Sequence, residues 1–405
     1  MARGCAAFTA VSCFVFVCTV LAVYYTDYIH KNSPRKPVSN SSRLVRFSET
    51  IPHTHNQQSP SLDIAQLPVD IKPPTTTRVK ILIVTYMRSG STFTGDIYDS
   101  HPGVFYVFEP LHALSKTDTT RSLHFWDNDT LKTSNMTYED FARVKDNVIK
   151  GYFNCSFRAM YPNVLTDYFQ LLGRKTLQFK NCVLTHPGIL GPLRCLPLLQ
   201  RLCFQSNVTV IKSLRYSLEE AFALMRKDPK VKVIHLLRDP RGTLISQLKF
   251  SRLAGSSRLA HFQTFCRKVE QNLTLSEEAR QQFPGRVLRV RYEDIALDPF
   301  RYAKILLGFA GLKMAPEQEK HLLQITRSSP KTQCKNCISV RTTNSSAEAF
   351  AWRKVCELNT TEKIDEYCSN VYRIAGYLPL AIESQLRDLT QPSMLPAGFV
   401  PGFWN

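Results

Sequence analysis

Acidic residues are scarce in this sequence. The chain has 33 aspartates and glutamates against 52 lysines and arginines, which gives a formal net charge of +19 at pH 7. A chain this basic attracts polyanions, so nucleic acid, anionic lipid, acidic glycans and nucleotides are all candidate partners. The charge does not choose among them, because an excess of one sign is also common on an ordinary solvated surface. The apolar content of 43% excludes a disordered chain.

Several familiar motifs are also missing. There is no internal repeat, and the GxxxxGK[ST] pattern of a Walker A loop is absent. Cys334-Lys-Asn-Cys337 is a lone CxxC without a second cluster, which favours a structural disulfide or a loop pair over zinc or redox chemistry. We therefore predict no bound metal.

One long apolar run without charge extends from Cys5 to Tyr25. Its length matches the roughly 20 residues that a helix needs to cross a bilayer. A cleaved signal peptide has a shorter apolar core and a small-residue cleavage site, so a retained anchor is favoured. Taken alone, the basic residues after the run argue against a luminal position for the rest of the chain.

Eight Asn-x-Ser/Thr sequons favour the opposite orientation, because together they indicate a chain glycosylated in the secretory lumen. Long domains translocate regardless of nearby charge. We therefore predict a type II protein with a cytosolic tail (1–4), a transmembrane signal anchor (5–25), a stem (26–77), a luminal domain (78–390) and a C-terminal tail (391–405). The sequons are at Asn40, Asn128, Asn135, Asn154, Asn207, Asn272, Asn344 and Asn359.

Nine cysteines follow the apolar run. In an oxidising compartment several of them are expected to pair, and the odd count leaves at least one free or intermolecular. They are Cys155, Cys182, Cys195, Cys203, Cys266, Cys334, Cys337, Cys356 and Cys368.

The pattern after residue 77 alternates short β-branched runs with amphipathic stretches, which is typical of an α/β domain with a parallel sheet. Strands are predicted at 79–85, 208–212, 231–237 and 286–292. Helices are predicted at 91–100, 215–227, 241–253, 262–281, 299–310, 315–327 and 357–375. Residues 113–205 have weak periodicity and are interpreted as an insertion that shapes a substrate cleft.

A loop rich in hydroxyl groups separates the first predicted strand from its helix. Tyr86-Met-Arg-Ser-Gly-Ser-Thr-Phe93 combines a glycine, two serines, a threonine and an arginine at a helix N-terminus. Such a terminus presents unpaired N–H groups and the positive end of the helix dipole to an anion. The alternative is an ordinary capped βα turn.

A second strand-to-helix junction carries Leu236-Leu-Arg-Asp-Pro-Arg-Gly242, followed by Ser246. Arg238 would lie at the carboxyl edge of the sheet, where open α/β sheets bind ligands. The alternative is a surface ion pair between Arg238 and Asp239, which would contribute little.

The two junctions in this order resemble the 5′-phosphosulfate and 3′-phosphate motifs of sulfotransferases that use 3′-phosphoadenosine-5′-phosphosulfate (PAPS). The segments Phe108–Leu111, Val290–Asp294 and Ala351–Arg353 are similar to the Golgi carbohydrate 6-O-sulfotransferases, which act on galactose, N-acetylglucosamine or N-acetylgalactosamine. The resemblance covers about residues 78–380. It implies a P-loop-like parallel sheet flanked by helices, preceded by one transmembrane helix, and a Golgi membrane location with a luminal catalytic domain.

The resemblance also implies roles for matched positions. The 5′-phosphosulfate would bind Arg88, Ser89, Gly90, Ser91, Thr92 and Phe93. The 3′-phosphate would bind Arg238 and Ser246, and Arg341 resembles a loop that closes over the nucleotide. The relatives that act on sugars often carry arginine after the serine matched by Ser246, whereas this chain has Gln247.

A carboxylate base is suggested by likeness to the tyrosylprotein sulfotransferases, in which a glutamate occupies the position of Glu109. An apolar neighbourhood could raise the pKa of this residue toward a useful value. His112 is the second candidate base, and a structural pairing of Glu109 with an arginine is the alternative. Lys212 matches a lysine that would stabilise the leaving phosphosulfate oxygen.

Two other functions are compatible with a luminal type II protein. Asp127-Asn128-Asp129 is a DxD pattern, typical of glycosyltransferases that hold a metal and a nucleotide sugar. A non-enzymatic glycan-binding protein would also be basic and luminal. For the carbohydrate sulfotransferase that the motifs resemble, the expected partners are a glycan or proteoglycan acceptor, the membrane and a second copy of the chain in a homodimer. No nucleic acid is expected.

Overall fold

The computed structural model describes residues 78–115, 122–127, 130–135, 137–249, 256–327 and 344–404. The predicted tail, anchor and stem lie outside these ranges, as do Arg341 and the Cys334–Cys337 pair. Within the described ranges, no helix is both long enough and apolar enough to cross a membrane.

Five parallel strands form the central sheet, in the order β2-β5-β1-β6-β7, and two further strands form a separate antiparallel hairpin, β3-β4. The side chains of the central strands are almost all buried, as expected when helices cover both faces of a parallel sheet. The strands are β1 (Val79–Val84), β2 (Val104–Phe108), β3 (Ser122–Asp127), β4 (Thr130–Asn135), β5 (Val208–Ser213), β6 (Val231–Leu237) and β7 (Val287–Arg291).

Helices pack on both faces of this sheet. The helices in the described residues are α1 (Ser91–Asp99), α2 (Tyr138–Phe153), α3 (Pro162–Leu165), α4 (Arg174–Thr185), α5 (Gly191–Phe204), α6 (Leu218–Lys227), α7 (Pro240–Leu248), α8 (Ser256–Gln282), α9 (Tyr292–Leu297), α10 (Pro299–Phe309), α11 (Pro316–Thr326), α12 (Ser345–Phe350), α13 (Leu358–Tyr367), α14 (Ser369–Ala375) and α15 (Glu383–Arg387). Short 3₁₀ helices occur at Tyr168–Leu172, Ala351–Lys354 and Ala397–Phe399.

The predicted parallel α/β sheet is confirmed, and so are its four predicted strands. Sequence analysis missed β2, because an apolar run of five residues cannot be assigned by periodicity alone. It also missed the hairpin and the helices within 113–205. One of these, α5, contains Pro197 in its interior, a residue that normally argues against a helix.

The alternation of side chains along β1 divides the core between two faces. Leu82 and Val84 face a cluster that includes residues of α2, α5 and α6. Ile81 and Ile83 face the opposite cluster, which includes residues of α1, α10 and α11. The sheet is therefore held from both sides, and its carboxyl edge is a rigid support for the loops that follow the strands.

Three disulfides confirm the expected pairing of cysteines. They join Cys155 to Cys203, Cys182 to Cys195 and Cys266 to Cys368. Cys356 is a free, buried thiol whose sulfur lies 3.0 Å from the hydroxyl oxygen of Thr361.

The described sequons differ in exposure. Five of their asparagines are exposed, namely Asn135, Asn154, Asn207, Asn344 and Asn359. Asn272 is only 8% exposed, and its side-chain amide donates a hydrogen bond of 2.7 Å to the hydroxyl of Tyr86. The amide nitrogen of Asn272 is therefore inaccessible in the folded domain.

The last described residues pack against the sheet edge beside β7. The backbone N–H of Trp404 donates to the carbonyl oxygen of Arg289 at 3.0 Å, and its indole N–H donates to Asp294 at 2.8 Å. Phe403 is 2% exposed.

Candidate active site

The carboxyl ends of four parallel strands bring the predicted site segments to one edge of the sheet. Glu109 follows β2, Lys212 lies at the end of β5, the loop 85–90 follows β1, and Arg238 follows β6. The chain leaves β1 towards β2 on one side and leaves β6 towards β7 on the other, so a topological switch point lies between β1 and β6. Ligands of open α/β sheets bind in the crevice at such a point.

The loop after β1 ends in Gly90, which has a φ of +77°. A Cβ atom at this position would lie 2.1 Å from Cδ2 of Tyr292, so the close approach of the loop to this ring requires glycine. The helix α1 begins at the next residue, and the N–H groups of its first turn lack intrahelical acceptors. Together with the helix dipole they form an anion cradle.

Three other residues of this predicted motif differ in what they offer to a ligand. Ser91 is buried and Thr92 is half-buried. The Phe93 ring packs edge-to-face on Tyr292, with ring centroids 6.2 Å apart. The Phe93 ring thus belongs to the core, and its backbone N–H is the group that lies in the cradle.

Contacts between Arg88, Arg238 and Ser246 join the two predicted motifs. Nε of Arg88 donates to Oγ of Ser246 at 2.9 Å, and Nη1 of Arg238 donates to the carbonyl oxygen of Arg88 at 3.1 Å. The guanidinium of Arg238 lies 5.1 Å from the centroid of the Tyr292 ring. The loop after β1 therefore contacts both Arg238, which precedes α7, and Ser246 within α7, and the three form one surface.

Buried donors on this surface lack partners. Neither Oγ of Ser89, in a residue with 0% exposure, nor Nε of Arg238 has a hydrogen-bond partner among the described residues. Buried polar groups in folded proteins are normally satisfied. Unsatisfied donors beside an anion cradle fit the phosphate groups of an anionic nucleotide.

Gln247 is a positioning residue that sequence analysis did not identify. Its side-chain amide donates to the carbonyl oxygen of Met87 at 2.8 Å, and its Oε1 lies 2.8 Å from Nε2 of His261. Gln247, the position at which the sequence differs from the motif it resembles, therefore holds the loop after β1. The departure marked the position in the sequence but gave no indication of this contact.

The charged residues after Arg238 build the turn rather than a ligand site. Arg241 is fully buried, and the carboxylate of Asp239 accepts two hydrogen bonds from its guanidinium. The carboxyl group of Glu293 accepts from the backbone N–H of Asp239 at 2.9 Å and from the hydroxyl of Tyr377 at 3.2 Å. Burial raises the pKa of Glu293 to about 7.

Glu109 is held by three donors at the end of β2. It is 2% exposed and has a φ of +49°. Its Oε1 accepts from Nζ of Lys212 at 2.8 Å and from the backbone N–H of Leu214 at 2.9 Å, and its Oε2 accepts from Arg215 at 2.9 Å. The apolar setting that the sequence suggested is thus supplemented by two cations. Desolvation lowers the pKa of Lys212, whereas the carboxylate of Glu109 acts in the opposite direction.

His112 forms a dyad with Asp167. Nδ1 of His112 lies 3.0 Å and 3.1 Å from the two carboxylate oxygens of Asp167. The backbone N–H of His112 donates to the carbonyl oxygen of Glu109 at 3.0 Å. Because Nδ1 of His112 contacts the carboxylate of Asp167, Nε2 is the ring nitrogen that remains for another partner. This arrangement suits proton transfer or substrate binding.

The family model described as "Sulfotransferase domain" matches residues 78–376, a range that includes Arg88, Glu109, Lys212 and Arg238. The chain belongs to this sulfotransferase family. The sulfotransferase assignment made from the two strand-to-helix motifs is thereby confirmed, and the protein is an enzyme of this class.

Among curated proteins, this sulfotransferase is similar to mouse carbohydrate sulfotransferase 5, with 26% identity over 81% of this chain and 88% of the relative. It is 25% identical to human carbohydrate sulfotransferase 6 over the same shares of each chain. It is also 25% identical to human carbohydrate sulfotransferase 1, over 77% of this chain and 82% of the relative.

Similar solved structures include a sulfotransferase domain of a Synechococcus olefin synthase, with a TM-score of 0.37, 16% identity and coverage of 73% of this chain and 97% of that chain. Mouse sulfotransferase SULT7A1, solved in complex with PAP, the desulfated form of PAPS, has a TM-score of 0.39 and 13% identity, with coverage of 74% and 86%.

Family membership leaves the glycosyltransferase and the non-enzymatic alternatives without support. Of the DxD pattern, Asp127 ends β3 and pairs with Lys132, while Asn128 and Asp129 lie outside the described residues. The described residues hold one cluster with metal-ligand spacing, formed by Cys182, His186 and Cys195. Its two sulfur atoms are joined in a disulfide, so they are not thiolate ligands.

Proposed function

We propose that this sulfotransferase transfers the sulfuryl group of PAPS to a hydroxyl of a glycan or proteoglycan chain, at the 6-position of galactose, N-acetylglucosamine or N-acetylgalactosamine. One observation carries the proposal. An anion surface made by two strand-to-helix junctions lies at the same sheet edge as the buried Glu109–Lys212 pair. The carbohydrate sulfotransferases among the relatives support a sugar as the acceptor.

The nucleotide donor binds at the crevice between β1 and β6 in this proposal. The residues of the loop and of the first turn of α1, from Arg88 to Phe93, bind the 5′-phosphosulfate, and Arg238 and Ser246 bind the 3′-phosphate. The unsatisfied donors of Ser89 and Arg238 support this placement. Arg341 is proposed to contact the nucleotide from a segment outside the described residues.

Glu109 is the proposed general base. A carboxylate has about four lone-pair positions, and the described donors occupy two on Oε1 and one on Oε2. The remaining position on Oε2 can accept the proton of the acceptor hydroxyl. As that proton leaves, the acceptor oxygen bonds to sulfur and the bond between sulfur and the phosphate oxygen breaks in line.

Lys212 is the proposed stabiliser of the leaving group. Its register supports this role, because Lys212 pairs with Ile83 of β1 on one side and with Phe108 of β2, the residue before Glu109, on the other. The positive charge of its ammonium group would offset the negative charge that develops on the phosphate oxygen. His112 is the second candidate for the base, supported by its dyad with Asp167.

The proposed setting is the Golgi membrane, with the catalytic domain in the lumen and one N-terminal span. The three disulfides and the five exposed sequon asparagines support an oxidising, glycosylating compartment. Glycopeptide mass spectrometry on protein expressed in a secretory cell line should find glycans at exposed sites such as Asn359 and none at Asn272. A protein without any glycan would contradict the luminal placement.

Ligand-dependent thermal unfolding tests the donor assignment. PAP should raise the melting temperature, because a ligand that binds only the folded state stabilises it. Uridine diphosphate with Mn²⁺, the ligand expected of a DxD glycosyltransferase, should leave the melting temperature unchanged. Stabilisation by the second ligand and not by PAP would reject the proposal.

A further inference from the structure

Tyr168 has a large aromatic side chain that no part of the proposed mechanism uses. It is 62% exposed and begins a 3₁₀ helix, Tyr168–Leu172. One exposed aromatic ring on a surface is ordinary. Whether the Tyr168 ring has a function therefore depends on which residues surround it and whether they fix its position.

The helix that carries Tyr168 is fixed to the turn after β2. One carboxylate oxygen of Asp167 accepts the backbone N–H of Phe169 at 2.8 Å, which caps the 3₁₀ helix. The same carboxylate contacts Nδ1 of His112, three residues beyond Glu109. Asp167 thus joins the helix of Tyr168 to the segment that carries the proposed base.

A series of rings connects Tyr168 to the catalytic pair. Tyr168 meets Phe169 edge-to-face with ring centroids 5.8 Å apart, and Phe169 stacks on Phe108 at 5.7 Å. Phe108 precedes Glu109 in the chain, and Nζ of Lys212 lies 4.1 Å from the centroid of its ring. The Tyr168 ring is therefore positioned by the core residues that position the reacting groups.

The strand order places this ring series on the acceptor side of the site. The residues proposed to bind the nucleotide follow β1 and β6, whereas β2 is the edge strand beyond β5. The residues linked to Glu109 on the side of β2 include His112, which is partly exposed, and Tyr168, which is 62% exposed.

We infer that the exposed ring of Tyr168 is a stacking platform for a sugar residue of the acceptor chain other than the one that receives the sulfuryl group. The C–H face of a pyranose packs on an aromatic ring, and the tyrosine hydroxyl can bond to a sugar hydroxyl. This inference rests on the proposed function. It identifies the acceptor as an oligosaccharide or polymer and assigns Tyr168 to its affinity, without a part in the chemistry.

The test compares long and short acceptors with the full-length enzyme in detergent and labelled PAPS. Chemically desulfated keratan sulfate and desulfated chondroitin are the long acceptors, and methyl glycosides of galactose, N-acetylglucosamine and N-acetylgalactosamine are the short ones. We expect Tyr168→Ala to lower kcat/KM for the preferred polymer by about tenfold, mainly through KM, because one aromatic contact is lost. Tyr168→Phe should stay within about twofold of the wild type, because the ring is kept.

Several readouts separate a binding role from a structural one. Tyr168→Ala should leave the melting temperature, the affinity for PAP and the rate with the methyl glycosides unchanged. Phe399→Ala, at a side chain that is 74% exposed in the C-terminal segment, is the matched control and should not alter polymer kinetics. Equal kinetics of Tyr168→Ala and wild type on the polymer, or equal losses on polymer and methyl glycoside, would overturn the inference. A wild-type enzyme that binds PAP but transfers label to none of these acceptors would instead contradict the proposed function.

Discussion

Nζ of Lys212 and Oε1 of Glu109 form an ion pair of 2.8 Å in which each side chain is only 3% exposed. The pair joins the ends of two adjacent strands, since Lys212 pairs in register with Phe108, the residue before Glu109. Burial of one unpaired charge is costly, so each of these groups offsets part of the cost of burying the other. The site therefore holds a carboxylate and an ammonium group in fixed positions before any substrate arrives.

Replacement of Glu109 by glutamine tests the base. Glutamine keeps the size of the side chain but cannot take a proton, so kcat should fall by about 10²–10⁴. Affinity for PAP should change little, because the carboxylate is assigned to the acceptor. Steady-state kinetics and calorimetry measure the two quantities. The control is His112→Ala: if that variant were inactive while Glu109→Gln kept near-full kcat, the base would be His112.

Replacement of Lys212 by alanine tests the stabilisation of the leaving group. Glu109 keeps the backbone N–H of Leu214 and the guanidinium of Arg215, so its carboxylate stays paired in this variant. We expect a lower kcat, because the lost charge acts on the transition state. The loss in the Lys212→Ala, Glu109→Gln double variant should be smaller than the product of the single losses, since both groups act on one step. An unchanged kcat in Lys212→Ala would remove this residue from the mechanism.

The proposed nucleotide site predicts that Arg88 and Arg238 each contact a phosphate group. Arg88→Ala and Arg238→Ala should each weaken PAP binding by about 2–4 kcal/mol, because charge-assisted hydrogen bonds are the strong ones. Isothermal titration calorimetry measures the change. Arg143→Ala is the matched control, since the Arg143 side chain is 71% exposed on α2. PAP affinity equal to the wild type in both site variants would move the nucleotide elsewhere.

The buried carboxyl group of Glu293 predicts a pH dependence of stability. Its pKa is raised from 4.5 to about 7 by burial, so between these values the folded protein holds a proton that the unfolded chain releases. The contribution of Glu293 is therefore full below pH 4.5 and is lost as the pH rises toward 7.

Glu293→Gln cannot ionise, so its free energy of unfolding should fall less than that of the wild type between pH 5 and pH 7. Denaturant unfolding with intact disulfides measures both curves, and Glu139→Gln, at an exposed position on α2, should follow the wild type. Parallel curves for wild type and Glu293→Gln would show that Glu293 does not titrate in this window.

The sequence predicted four of the five strands of the sheet and the two strand-to-helix junctions, because β-branched runs and strand-to-helix turns are local patterns. It placed Arg88 in one motif and Arg238 and Ser246 in the other, and could not show that Arg88 contacts Ser246. The network around Arg241 was also hidden, since local sequence cannot distinguish a fully buried arginine from an exposed one. Contacts between residues far apart in the chain depend on packing, and the stacking of Phe169, within the weakly patterned segment 113–205, on Phe108 is one such case.

The most direct test of the account is transfer of label from PAPS to a glycan. Purified enzyme is incubated with labelled PAPS and a panel of desulfated keratan, chondroitin and N-acetylglucosamine-containing glycans, with and without a metal chelator. We predict label on a sugar of at least one acceptor, located at the 6-position by digestion and mass spectrometry, at a rate unaffected by the chelator. PAP binding without label on any glycan, or label that requires a divalent metal, would contradict the central claim.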